Sequence, residues 1–156
     1  IDETKIEAAI TSKTTAILIT HVFGNPCDVD AIDTLAKKYN LKVIYDAAHC
    51  FGVKYKGKSI FEYGDVSTCS FHATKLFHTG EGGAITTNND AWADWFEVKL
   101  FHGAKGMKGV ALDFVDYGFN FRLPELQAIM GSKQLTKIDS IIDERNRIRN
   151  LYIDCN

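Results

Sequence analysis

Short β-branched apolar runs alternate with helical stretches along this chain, and that alternation leaves few folds open. Thr15-Ala-Ile-Leu-Ile-Thr20 and Lys42-Val-Ile-Tyr-Asp46 read as buried strands. Between them Asp28 is placed to cap a helix running to Tyr39, with Val29, Ile32, Leu35 and Ala36 on one face. Val66 to Phe71 and Gly83 to Thr87 read as two further strands, and Asn89-Asp90 caps an aromatic-rich helix to about Phe101. Glu3 to Ile10 reads as a short helix, and Gly57 as the turn of a small hairpin. Pro124 suits the first turn of a helix to about Leu135, and Ile138, Ile141, Ile142, Ile148 and Leu151 carry a long final one. His102 to Tyr117 has no clear period and reads as a mobile loop. The alternation predicts an α/β fold, with a mainly parallel sheet flanked by helices on both faces. Right-handed crossovers then put ligands at the carboxyl ends of the strands. His21 and Gly24, Asp46 to His49, and His72 to Lys75 all fall at such ends.

A chain of 156 residues with 46% hydrophobic content holds one domain's worth of core. Eighteen Lys+Arg against twenty Asp+Glu give a formal charge of −2, which favours neither a nucleic-acid nor a polybasic membrane partner. No apolar run approaches the roughly eighteen residues of a membrane span. Cysteines 27, 50, 69 and 155 are scattered without a CxxC, the pattern of reduced thiols in a cytoplasmic protein. The chain opens on Ile1 and closes on Leu151 to Asn156 in helical sequence, so it is expected to be a piece of something larger.

Two charged residues at strand ends stand out. A carboxylate such as Asp46 often only caps a turn; buried, it needs a cationic partner. Alternation aims Asp46 and Ala48 to one side, an arrangement suited to a flat heteroaromatic ring with Asp46 at a ring nitrogen. Lys75 follows a buried strand and precedes Gly80-Glu-Gly-Gly83, where a solvated surface lysine is less expected. A lysine made less cationic by burial can attack a carbonyl. Ser70 and Thr74 offer hydroxyls beside it, for a phosphate or for capping a turn. The glycines match neither the Walker A order nor the dinucleotide fingerprint, and neither HExxH nor Gly-x-Ser-x-Gly occurs. No metal site is expected.

Four segments in register, Asp46-Ala-Ala-His49, Gly64-Asp65 leading to Ser70-Phe-His-Ala-Thr-Lys75, Gly80-Glu-Gly-Gly83 and Gly118-Phe-Asn-Phe-Arg122-Leu-Pro-Glu-Leu-Gln127, resemble the DegT/DnrJ/EryC1/StrS family of sugar aminotransferases. The resemblance covers essentially the whole chain. It implies the large domain of fold type I pyridoxal-phosphate enzymes, with residues 1–156 as an incomplete large domain lacking an N-terminal segment and a C-terminal small domain. It further implies that Lys75 joins pyridoxal 5'-phosphate covalently and shuttles a proton, while Asp46 keeps the pyridine nitrogen protonated. Ala48 would lie against the ring, His49 near the ring hydroxyl, and Ser70 at the phosphate. Asn120 would reach the phosphate of a neighbouring subunit in a homodimer with shared sites. The implied reaction moves an amino group from glutamate to a nucleotide-linked keto-sugar, with wording closest to members acting on dTDP-4-keto-6-deoxyhexoses, as in O-antigen synthesis. Retention of Asp46, Ser70, Lys75 and Asn120 favours this over a non-catalytic relative kept for binding or dimerisation.

Overall fold

A computed structural model describes residues 1–108 and 110–155. In chain order, a 3-10 turn at Glu3–Lys5 runs into helix α1 (Ile6–Ala9), then strand β1 (Ala16–Thr20), a second 3-10 turn at Val22–Gly24, helix α2 (Val29–Tyr39) and strand β2 (Lys42–Asp46). A short hairpin of β3 (Lys54–Tyr55) and β4 (Lys58–Ser59) precedes β5 (Val66–Ser70) and β6 (Gly83–Thr86). Helix α3 (Asp90–Leu100), strands β7 (Ala104–Lys108) and β8 (Ala111–Phe114), and helices α4 (Glu125–Leu135) and α5 (Ile138–Asp154) complete the order. The chain divides into two compact units, Ile1–Cys69 with Ala84–Arg122, and Ser70–Gly83 with Leu123–Asn156.

The main sheet has the strand order β1-β2-β5-β6. Its first two pairings are parallel, with Ile17 opposite Val43, Thr20 opposite Asp46, and Asp46 opposite Thr68. Helix α2 forms because Asp28 accepts from Ala31 N at 3.0 Å and because its apolar residues recur on one face. That face buries Ile32 and Ala36 against Ile17, Ile19, Val43 and Tyr45, while Val29 joins Ala47, Cys50 and Ile60 in a second cluster. Side chains of opposite parity, Ile44 and Val66, line a groove of about 460 Å³ with Trp92, Trp95 and Phe96 of α3. The expected α/β architecture is therefore present, with α2 on one face of the sheet and α3 on the other.

Two local readings change. Residues expected to form a loop after His102 instead fold into the antiparallel hairpin β7–β8, with Met107 opposite Leu112. Pro124 lies just outside α4, with extended backbone as its N-cap, and Glu125 is the first helical residue. In the second unit the 70–83 segment is closed by Phe71 N donating to Gly82 O and Thr79 N donating to Phe71 O, both at 2.9 Å. Phe71 and Phe77 meet edge to face with centroids 5.0 Å apart, and His78 bonds Gln134 of α4 at 3.1 Å.

Candidate active site

Asp46 ends β2, and the parallel register fixes its surroundings. Its neighbour across the pair is Thr20, whose hydroxyl donates to Asp46 Oδ2 at 3.3 Å, while Ala48 N donates to Oδ1 at 3.1 Å. Backbone bonds lock the same point from both sides: His21 N donates to Asp46 O, and Ala47 N to Thr68 O, each at 3.0 Å. The carboxylate is half-buried, and the Thr20 hydroxyl and Ala48 N fix its two oxygens. A half-buried carboxylate oriented by neutral donors is suited to a cationic ligand atom. The donor set thus fits a heteroaromatic ring carrying a protonated nitrogen.

His21, the residue just after β1, turns to the face opposite that of Thr20. His21 is 1% exposed and stacks on Tyr45 with centroids 4.5 Å apart. Its Nδ1 accepts from Cys27 N at 3.3 Å, so the ring proton sits on Nε2, which has no partner among the described residues. Burial pulls the His21 pKa below its ordinary value, against a smaller opposing pull from Asp46. Burial also pushes the Cys50 and Cys69 thiols up to about 11, which makes them packing groups rather than nucleophiles. Among the described residues no cluster of His, Cys, Asp and Glu could hold a metal ion.

His49 is exposed three residues beyond Asp46 and faces Phe23 with ring centroids 6.1 Å apart. Phe23 adopts a left-handed φ of 55°, and Gly24 beside it would carry a Cβ only 2.8 Å from His49 O. The loop after β1 is thus pressed against the loop after β2, which only glycine permits at that point.

Ser70 ends β5 and accepts from His72 N at 3.3 Å. His72 then organises the following turn: its Nδ1 bonds the Thr74 hydroxyl at 2.9 Å and accepts from Thr74 N at 3.2 Å, while Lys75 N donates to His72 O at 2.9 Å. Lys75 is half-buried, unlike an ordinary surface lysine. Asn120 is exposed and bridges to Phe101 at the end of α3. Of the residues singled out in sequence, Asp46, Ala48, His49 and Asn120 belong to the first unit, and Ser70 and Lys75 to the second. Thr20 was not singled out; its position opposite a strand-end carboxylate becomes visible only with the register.

The chain is similar to proteins of known chemistry over nearly its whole length. It is 43% identical over 148 residues to a dTDP-4-amino-4,6-dideoxy-D-glucose transaminase of Shigella dysenteriae, covering 95% of this chain and 39% of that protein. It is 40% identical over 152 residues to a GDP-perosamine synthase of Caulobacter vibrioides, covering 97% and 40%. Among solved structures, Helicobacter pylori PseC, an aminotransferase involved in the biosynthesis of pseudoaminic acid, superposes with a TM-score of 0.85 at 32% identity, over 89% of this chain and 38% of that one. The chain thus spans about two fifths of the length of the curated relatives it matches. The sequence pattern of one family extends from the first residue to the last turn of α5, over residues 1–155, and by that match the chain belongs to the DegT/DnrJ/EryC1/StrS aminotransferase family.

Proposed function

We propose that residues 1–156 form the central part of the cofactor domain of a pyridoxal-phosphate aminotransferase acting on a nucleotide-linked keto-sugar. The observation that carries this reading is the half-buried Asp46 carboxylate at the end of β2, oriented by the Thr20 hydroxyl and by Ala48 N. Asp46 would hold a proton at the pyridine nitrogen, and Ala48 and His49 would flank the ring at its face and its hydroxyl. Ser70 would bind the phosphate, together with Asn120 of a neighbouring subunit in a homodimer. Lys75 would anchor the cofactor and afterwards carry the proton at the carbon being aminated. When bound, the cofactor supplies an electron sink for that carbon.

The wording of the Asp65 to Ile85 run, similar to members acting on dTDP-4-keto-6-deoxyhexoses, supports such a sugar as acceptor, and the family resemblance implies glutamate as donor. The Shigella relative, a transaminase of a dTDP-linked sugar, supports the nucleotide, whereas the Caulobacter relative carries a GDP sugar in its name. Among the described residues no helix is long and apolar enough to cross a membrane. A cytoplasmic setting is proposed on the scattered cysteines, which suit reduced thiols.

The test is to load the full-length protein with pyridoxal phosphate, reduce with borohydride and map the pyridoxyl label by peptide mass spectrometry. Label on Lys75, absent in Lys75→Ala, is the expected result. Equal labelling of wild type and Lys75→Ala would leave the non-catalytic alternative in its place.

A further inference from the structure

Lys99, near the end of α3, is buried with 7% of its surface exposed, and nothing in the reaction proposed above calls for it. Its ammonium donates to Asp116 Oδ2 at 2.7 Å and to Tyr117 O at 3.1 Å, and lies 3.4 Å from the centroid of the Tyr117 ring. Asp116 Oδ1 in turn accepts from Tyr117 N at 2.7 Å. Lys99 also reaches the same segment through its backbone, its carbonyl accepting from Phe119 N at 2.7 Å. His102 N donates to Phe119 O at 2.8 Å and Phe121 N to Leu100 O at 3.0 Å, which lays residues 119–121 along the end of α3 with Asn120 opposite Phe101.

This pairing has a register, and register is what an extended segment needs to present one chosen side chain. Phe119 and Phe121 share a side, stacked with centroids 5.1 Å apart, so Asn120 points to the other. A slip of one residue would put a phenylalanine where Asn120 stands. Backbone bonds alone repeat along a strand and tolerate such slips. A single ammonium tied to one carboxylate and one carbonyl does not. Lys99 is buried but its partner Asp116 is exposed, with 41% of its side chain in solvent, and a pair open to solvent on one side is a weak source of net stability, so its presence is better explained by the geometry it specifies.

We propose that Lys99 is a positioning residue that sets the register of the 116–121 segment and so aims Asn120 at the cofactor phosphate. This rests on the reading of Asn120 given above, and the experiment separates the two. Dissociation constants for pyridoxal phosphate are measured by absorbance titration of the full-length protein, for wild type, Asn120→Ala, Lys99→Met, Lys99→Arg, Asp116→Asn and the Lys99→Met/Asn120→Ala double variant. Asn120→Ala and Lys99→Met are each expected to weaken binding by about tenfold, the worth of a lost charged hydrogen bond. The double variant should be no weaker than about twofold beyond either single one, because both act through one contact. Lys99→Arg, which keeps the charge, should recover most of the affinity. A merely structural lysine would weaken binding independently, giving the product of the two single effects.

That product, or unchanged binding in Lys99→Met, overturns the role of Lys99 while leaving that of Asn120 in place. Unchanged binding in Asn120→Ala overturns the reading of Asn120, and the role of Lys99 with it. Should Lys99→Met fail to fold, Asp116→Asn in the same cycle with Asn120→Ala decides the matter on the same terms.

Discussion

His21 lies sealed beneath the sheet with a neutral ring, and its depressed pKa gives acid sensitivity a definite sign. The unfolded chain takes up a proton at this histidine near the ordinary value of 6.5, while the folded chain does so only at lower pH. Stability is therefore complete above about 6.5 and falls as pH drops through 6.5 toward the folded value. Denaturant midpoints measured from pH 7 to pH 5 should decline in wild type and flatten in His21→Asn, which keeps an acceptor for Cys27 N; parallel curves would refute this. Glu7, Asp30 and Asp116 are held below their ordinary values chiefly by hydrogen bonds from Lys38, Lys56 and Lys99, so their contributions are lost only in a separate window below about 4. At this scale Asp46 and Lys75 could be found in sequence, because a charge closing or following an apolar strand is conspicuous. The hydroxyl of Thr20 could not, since its bond to Asp46 spans 26 residues and depends on which strands are neighbours.

Among the elements, α2 was legible from its cap and its apolar spacing. Asp28→Ala should cost about 1 kcal/mol in chemical denaturation, the usual worth of an N-cap. The β7–β8 hairpin escaped because Ala104 to Lys108 shows no apolar alternation; its pairing is imposed from its base. There Gly103 and Gly118 cross so closely that a Cβ on Gly103 would meet Asp116 O at 1.9 Å, and one on Gly118 would meet Gly103 N at 2.1 Å. Such crossings are set by partners fifteen residues apart in sequence, and nothing local marks them. Gly103→Ala should destabilise by at least about 2 kcal/mol, combining strain with a backbone collision. Gly106→Ala provides the control: its φ is also positive, at 84°, but open space surrounds it. It should cost only about 1 kcal/mol, the strain alone. Equal losses at the two positions would show that the crossing at the base carries no weight.

Across the whole molecule, apolar side chains are left in solvent well beyond what isolated exposed residues would explain. Leu18 is 66% exposed on β1, Phe121 64%, and Leu126 and Ile129 of α4 82% and 65%. The chain on its own is expected to bind a hydrophobic dye and to retain pyridoxal phosphate poorly, with little or no turnover, whereas the full-length protein should do the reverse. Measurable transamination by residues 1–156 alone would overturn that expectation. The α/β class was within reach of sequence because α2 between β1 and β2 is long enough to cross back over the sheet, whereas the strand order came only with the pairing. The strand order also bears on synthesis. β2 pairs with β1, and β5 with β2, so each new strand lies beside one already made. The sheet can grow in the direction in which the ribosome delivers it. The Asp46–Thr20 bond needs only β1 and β2, so it can form as soon as those two strands have left the ribosome, without waiting for the segment that carries Lys75.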